Sequence, residues 1–89
     1  MKFSIGRLVI TKACKAHMEV QYVNPMKYVL RHVAGDWGDL GAEDKTSNEF
    51  ALNKKLRIAS AYNLPDGERI YVITEADRSY TTIMLYMEY

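Results

Sequence analysis

Residues 56–86, LRIASAYNLPDGERIYVITEADRSYTTIMLY, decide the fold. Their β-branched and aromatic texture, broken twice by turn residues, predicts strands over 56–63, 69–74 and 79–86. Pro65-Asp66-Gly67 places proline and glycine where a tight turn wants them, and Glu75-Ala76-Asp77-Arg78 is a polar connection of hairpin length. Three sequential strands joined this way make an antiparallel meander. In the last two strands both alternating sets are partly apolar: Ile70 and Val72 against Tyr71 and Ile73, then Ile83 and Leu85 against Tyr80, Met84 and Tyr86. That pattern predicts a sheet covered on both faces, one by helices and the other by a second copy of the chain.

Upstream, Phe3, Ile5, Leu8, Val9 and Ile10 are β-prone and run into Thr11, a good N-cap for a short helix over 12–19. Asn24-Pro25 is a second start signal, and Met26, Val29, Leu30 and Val33 recur at helical spacing until Gly35. Residues 35–41 hold three glycines around Trp37 and read as a loop. Residues 42–54 predict a polar third helix anchored by Phe50, Ala51 and Leu52. The expected fold is therefore α+β and a single domain over 1–89. It has an N-terminal strand, two to three short helices and a three-stranded antiparallel meander, with the helices packed on one face.

Composition excludes several classes. The 89 residues, 48% hydrophobic and 26% charged, suit one globular domain rather than a disordered chain. No stretch approaches the roughly 18 apolar residues of a membrane span, and the start lacks the apolar core of a signal peptide. A net charge of +1 argues against a dedicated nucleic-acid binder. One cysteine, Cys14, rules out an internal disulfide and fits a reducing, cytoplasmic setting; with His17 and His32 it is too few soft ligands for a zinc site. So short a chain buries a modest core, which favours a homo-oligomer.

The charge is unevenly placed. Residues 1–34 carry six cations against Glu19, whereas residues 35–50 carry five carboxylates against Lys45. The loop Gly35-Asp36-Trp37-Gly38-Asp39-Leu40 is the segment least like scaffold, and Trp37 reads either as a core plug or as a stacking platform. Asp44 and Asn48 share a face of the third helix, where Asp36 and Asp39 precede its positive end. In the last hairpin, either Asp77 and Ser79 satisfy the turn while Glu75 pairs with Arg78, or Arg78 and Arg57 hold an anionic group whose hydrogen bonds Thr81, Thr82 and Ser60 complete. Cys14 and His17 stand three apart but lack an acid to orient the histidine, and His32 reads as a satisfied core residue before a general base.

His32-x-x-Gly35-Asp36-Trp37-Gly38-Asp39-Leu40, then Glu43-Asp44-Lys45, Asn48, Arg57-Ile58-x-Ser60-Ala61-Tyr62 and Ile73-Thr74-Glu75-Ala76-Asp77-Arg78-Ser79-x-Thr81-Thr82 together resemble a family. It is a group of small proteins carried by bacterial plasmids, phages and other mobile elements, and the likeness spans residues 3–89. The chain departs from the family's pattern at Leu85-Tyr86-Met87-Glu88-Tyr89, where a proline more usually follows the leucine. The resemblance implies a mobile-element context in a bacterial host cell, where short accessory proteins often act against host defence.

Three functions follow as expectations. The first is a non-enzymatic module binding a small anionic, nucleotide-like ligand through Asp36, Trp37, Asp39, Asp44, Asn48, Arg57, Ser60, Glu75, Asp77, Arg78 and Thr81, without cofactor, metal or catalytic residue. The second is an inhibitor that docks its acidic 35–50 surface on a host defence protein. The third is a Mg²⁺-dependent hydrolase built from Asp36, Asp39, Asp44 and Glu75.

Overall fold

The computed structural model describes all 89 residues. Its elements run β1 (Arg7–Ile10), α1 (Lys12–Val20), α2 (Met26–Val33), α3 (Ala42–Lys54), β2 (Ile58–Asn63), β3 (Arg69–Thr74) and β4 (Tyr80–Leu85), closing on a 3-10 turn over Tyr86–Glu88. Thr11 accepts the Cys14 N–H to start α1, and Asn24 accepts the Met26 N–H to start α2. The α+β class stands as expected.

β2, β3 and β4 make the antiparallel meander, with Ser60 opposite Val72 and Val72 opposite Ile83. β1 also joins the sheet. It lies parallel to β4, with Leu8 opposite Thr81 and Ile10 opposite Ile83, so the expected three-stranded sheet is corrected to a mixed four-stranded one in the order β1-β4-β3-β2. Parallel neighbours need a connection far longer than a hairpin, and here everything from α1 to β3 lies between the two strands.

α1 and α2 cover one face. Cys14, Met18, Tyr28 and Val29 meet Tyr62, Ile70, Val72, Ile83 and Leu85 there. At about 1.5–3 kcal/mol for each large apolar side chain fully buried, this cluster is the main force for folding. α3 departs from the expected single helical layer. It runs beside β2, where Ala51 packs with Ile58 and Trp37, and Phe50, expected as an anchor, is exposed. The other face carries Val9, Tyr71, Ile73, Tyr80, Thr82 and Met84; Ile73 is buried, while Val9 and Tyr80 are exposed. No helix is long and apolar enough to cross a membrane.

Candidate functional site

The Gly-Asp-Trp-Gly-Asp loop lies along the outer edge of β2 and closes it. Ala61 donates its N–H to the Trp37 carbonyl at 3.3 Å, Asp39 donates its own to the Ala61 carbonyl at 2.7 Å, and Asn63 donates to Asp39 Oδ2 at 2.8 Å. One pair further along, Asn48 on α3 binds both backbone groups of Ala59. An edge strand left bare is a template for unwanted pairing, and these contacts remove that template. The loop is itself clamped: Asp36 accepts from Arg31 Nε at 2.7 Å and from the Gly38 N–H at 3.1 Å, while Arg31 lies 4.7 Å over the Tyr62 ring. The Arg31 hydrogen bond holds the Asp36 carboxyl below the usual carboxylate range. Tyr62 donates to the Asp36 carbonyl, and burial pushes its phenol up to about 12.

Trp37 is the plug and not the platform. It is only 4% exposed, stacks on Phe3 at 6.0 Å, and donates its indole N–H to Glu49 Oε2 at 2.6 Å. Phe3 in turn meets His32 edge-on at 5.0 Å. His32, Ser60, Thr74 and Thr81 are fully buried and form one chain of hydrogen bonds. Thr81 donates to the Ile5 carbonyl, which has no proton to give, and this orders the whole chain. Thr74 must donate to Thr81 and His32 Nε2–H to Thr74, which fixes a proton on Nε2; with the ring neutral, Nδ1 accepts from Ser60. Burial, and after it the Arg78 cation, brings the His32 pKa down to about 4. The serine–histidine contact has the form of a catalytic dyad, yet neither residue is accessible to a substrate. Ser60 and Thr81 are thus core hydrogen-bonding residues, which corrects their expected place against a ligand.

Arg78 is likewise engaged internally. Its Nη1 donates to the carbonyls of Leu56, Glu75 and Ala76 at 2.7–3.1 Å and its Nη2 to that of Ala51 at 3.1 Å, so it caps the end of α3 and braces the hairpin. It meets the Glu75 carbonyl and not the Glu75 carboxylate. Asp77 accepts the Ser79 N–H at 2.9 Å, the ordinary work of an aspartate in a turn. The Cys14–His17 pairing does not form: the Cys14 thiol lies 3.8 Å from Met18 Sδ with its pKa pushed up by burial to about 11, and His17 Nε2 sits 2.8 Å from Asp66.

A groove of about 260 Å³ opens between the first half of α3, the uncovered face of β2 and β3, and the C-terminus. Asp44, Ser47, Asn48 and Arg57 supply its polar lining, and Tyr71 and Tyr89 its aromatic one. Arg57 donates to the Tyr89 hydroxyl at 2.7 Å and lies 5.4 Å over that ring; Tyr89 meets Tyr71 at 5.3 Å. Burial is the leading cause that raises the Tyr71 phenol. Of the eleven expected site residues, the groove gathers Asp44, Asn48 and Arg57. Tyr71, Tyr89 and Ser47 are the additions. The alternation of β3 puts Tyr71 on the face opposite the core, a signal present in the sequence; nothing local in it brings Tyr89 back over Arg57. No family model, curated protein or solved structure matches the chain.

Proposed function

We propose that the chain is a non-enzymatic binding module of a mobile element that captures a small anionic, nucleotide-like ligand and so acts against a defence system of the bacterial host. One observation carries the reading: a single guanidinium, Arg57, stands with two tyrosines at the rim of a groove whose floor is Ala59 and Ile73. The volume of about 260 Å³ suits one heterocyclic base and not a dinucleotide. The base would lie against Tyr71 and Tyr89, Asp44 would accept from its amino group, and a phosphate outside the groove would meet Arg57. The mobile-element setting rests on the resemblance of residues 32–40 and 73–82 to the family described above.

Isothermal titration against a panel of cyclic and linear mononucleotides is the test. At least one is expected to bind, with Arg57→Gln and Tyr89→Ala each weakening it about tenfold, equivalent to about 1.4 kcal/mol. Absence of heat with every member of the panel ends this reading.

A second reading, inhibition of a host protein through the acidic 35–50 surface, draws support from Glu43 and Asp44, exposed in the first turn of α3 and bonded to no other side chain. Asp36 and Asp39 contribute less to it, because both are engaged inside the molecule. Capture of a host protein that is lost on Glu43→Lys with Asp44→Lys, with no nucleotide bound, decides for this reading. The third expectation, hydrolysis on Mg²⁺, draws no support from the carboxylates, which form no cluster of three or more able to hold a metal ion.

A further inference from the structure

The sheet has two edges, and they are finished differently. Along β2 the outward backbone groups meet the 36–39 loop and Asn48. Along β1 they meet nothing. Arg7 and Thr11 donate their N–H groups to Ser79 and Ile83 at 3.0 and 3.1 Å, so the alternation of a strand turns the N–H and C=O of Leu8 and Ile10 the other way. No strand lies on that side and no loop bonds to those four groups. Leu8 and Val9 are 37% and 39% exposed beside them. Of the devices that blunt a free edge, a proline, a bulge and an inward charge are missing from Arg-Leu-Val-Ile, which keeps only its four-residue length and the terminal Arg7.

We infer that this edge is a homodimer interface in which two copies of β1 pair antiparallel about a two-fold axis, joining two four-stranded sheets into one continuous sheet. A second copy is the occupant that fits, because the register solves itself. Only Leu8 and Ile10 face outward, so hydrogen-bonded pairs must be made from them. Centring on Leu8 would pair Ile10 with Gly6, whose φ of +60° takes it out of the strand. Centring on Ile10 would pair Leu8 with Lys12, already in α1. Centring on Val9 pairs Leu8 of each copy with Ile10 of the other and Arg7 with Thr11, uses only extended residues, and sets no like charges opposite one another. The four orphaned groups on each copy are then satisfied, and the two Val9 residues face each other as a non-hydrogen-bonded pair.

Such a pair has Cα atoms about 4.5 Å apart, within the range a disulfide spans, whereas Leu8 and its symmetry mate lie beyond the limit of about 7 Å. The experiment is oxidation of Val9→Cys and, separately, Leu8→Cys in the full chain, with light scattering of the unmodified protein alongside; Cys14 is buried and does not compete. A dimer in scattering and a covalent dimer of Val9→Cys formed at least tenfold faster than that of Leu8→Cys are expected. Leu8→Pro removes an outward N–H without touching the β4 ladder, so a folded monomer by circular dichroism and scattering is expected. A monomer at every concentration, or equal rates for the two cysteine variants, overturns the inference even if Leu8→Pro fails to fold.

Discussion

Asn48 and Ala59 are bonded to each other twice: the side-chain Nδ2 donates to the Ala59 carbonyl at 2.8 Å, and the Ala59 N–H donates to Asn48 Oδ1 at 3.1 Å. A side-chain amide here occupies the place of a peptide group in a neighbouring strand. It couples α3, which has few apolar anchors, to the edge of the sheet. Asn48→Asp keeps the size and the acceptor but turns a second oxygen toward the Ala59 carbonyl. A loss of about 2–4 kcal/mol is expected from urea unfolding, in line with breaking a buried hydrogen-bonded pair and opposing two acceptors.

Gly38 sits at φ +77°, and a Cβ built on it would run into the Ala61 carbonyl and the Tyr62 ring. Both neighbours are fully buried and hydrogen-bonded, so neither has room to give. Gly38→Ala should therefore cost more than about 3 kcal/mol or abolish folding, well above the typical effect of a point substitution. Thermal unfolding followed by circular dichroism checks this, with Gly41→Ala as the control: Gly41 has an ordinary φ of −71° and open space around it.

The neutral His32 makes stability depend on pH. Above its ordinary value of 6.5 the imidazole is unprotonated whether the chain is folded or not. As pH falls from 6.5 to about 4, only the unfolded chain takes up the proton, so stability is lost progressively across that window and this contribution levels off below it. The full loss is about 3 kcal/mol at about 1.4 kcal/mol per pH unit. Unfolding midpoints from pH 7 to pH 4 should fall steeply for the native chain; a flat profile would contradict the buried neutral imidazole.

Arg78 links two features. Its guanidinium caps the carbonyls of Ala51 and Leu56 at the end of α3, and its charge is one reason His32 stays neutral. Arg78→Met leaves those carbonyls without their donor and should cost about 2–3 kcal/mol at pH 7. It should also raise the His32 pKa in the folded chain and so narrow the pH window just described. Nuclear magnetic resonance titration of the imidazole reads the second effect separately from the first.

The element pattern was largely legible because it is a local matter. The period of Met26, Val29, Leu30 and Val33, the Asn24-Pro25 start and the two turns of the meander each act over a few residues, and the structure places α2, α3 and β2 to β4 close to where those signals put them. Polar residues were harder. Trp37, Asp39, Asn48 and Arg78 have the chemistry of ligand contacts, and inside the fold Trp37 binds the Glu49 carboxylate while the other three bind backbone groups of β2, α3 and the hairpin. A hydrogen-bonding side chain carries no mark of whether its partner will be a ligand or a distant peptide.

From its order of residues alone this chain determined its helices, its meander and its α+β class, since burial of periodic apolar side chains and turn chemistry need no knowledge of distant neighbours. Only the tertiary structure decided that β1 lies beside β4, that the glycine-rich loop seals the β2 edge, and that Arg57, Tyr71 and Tyr89 share a groove. Those contacts join residues from 18 to more than 70 positions apart, and they depend on which backbone groups the sheet leaves unpaired.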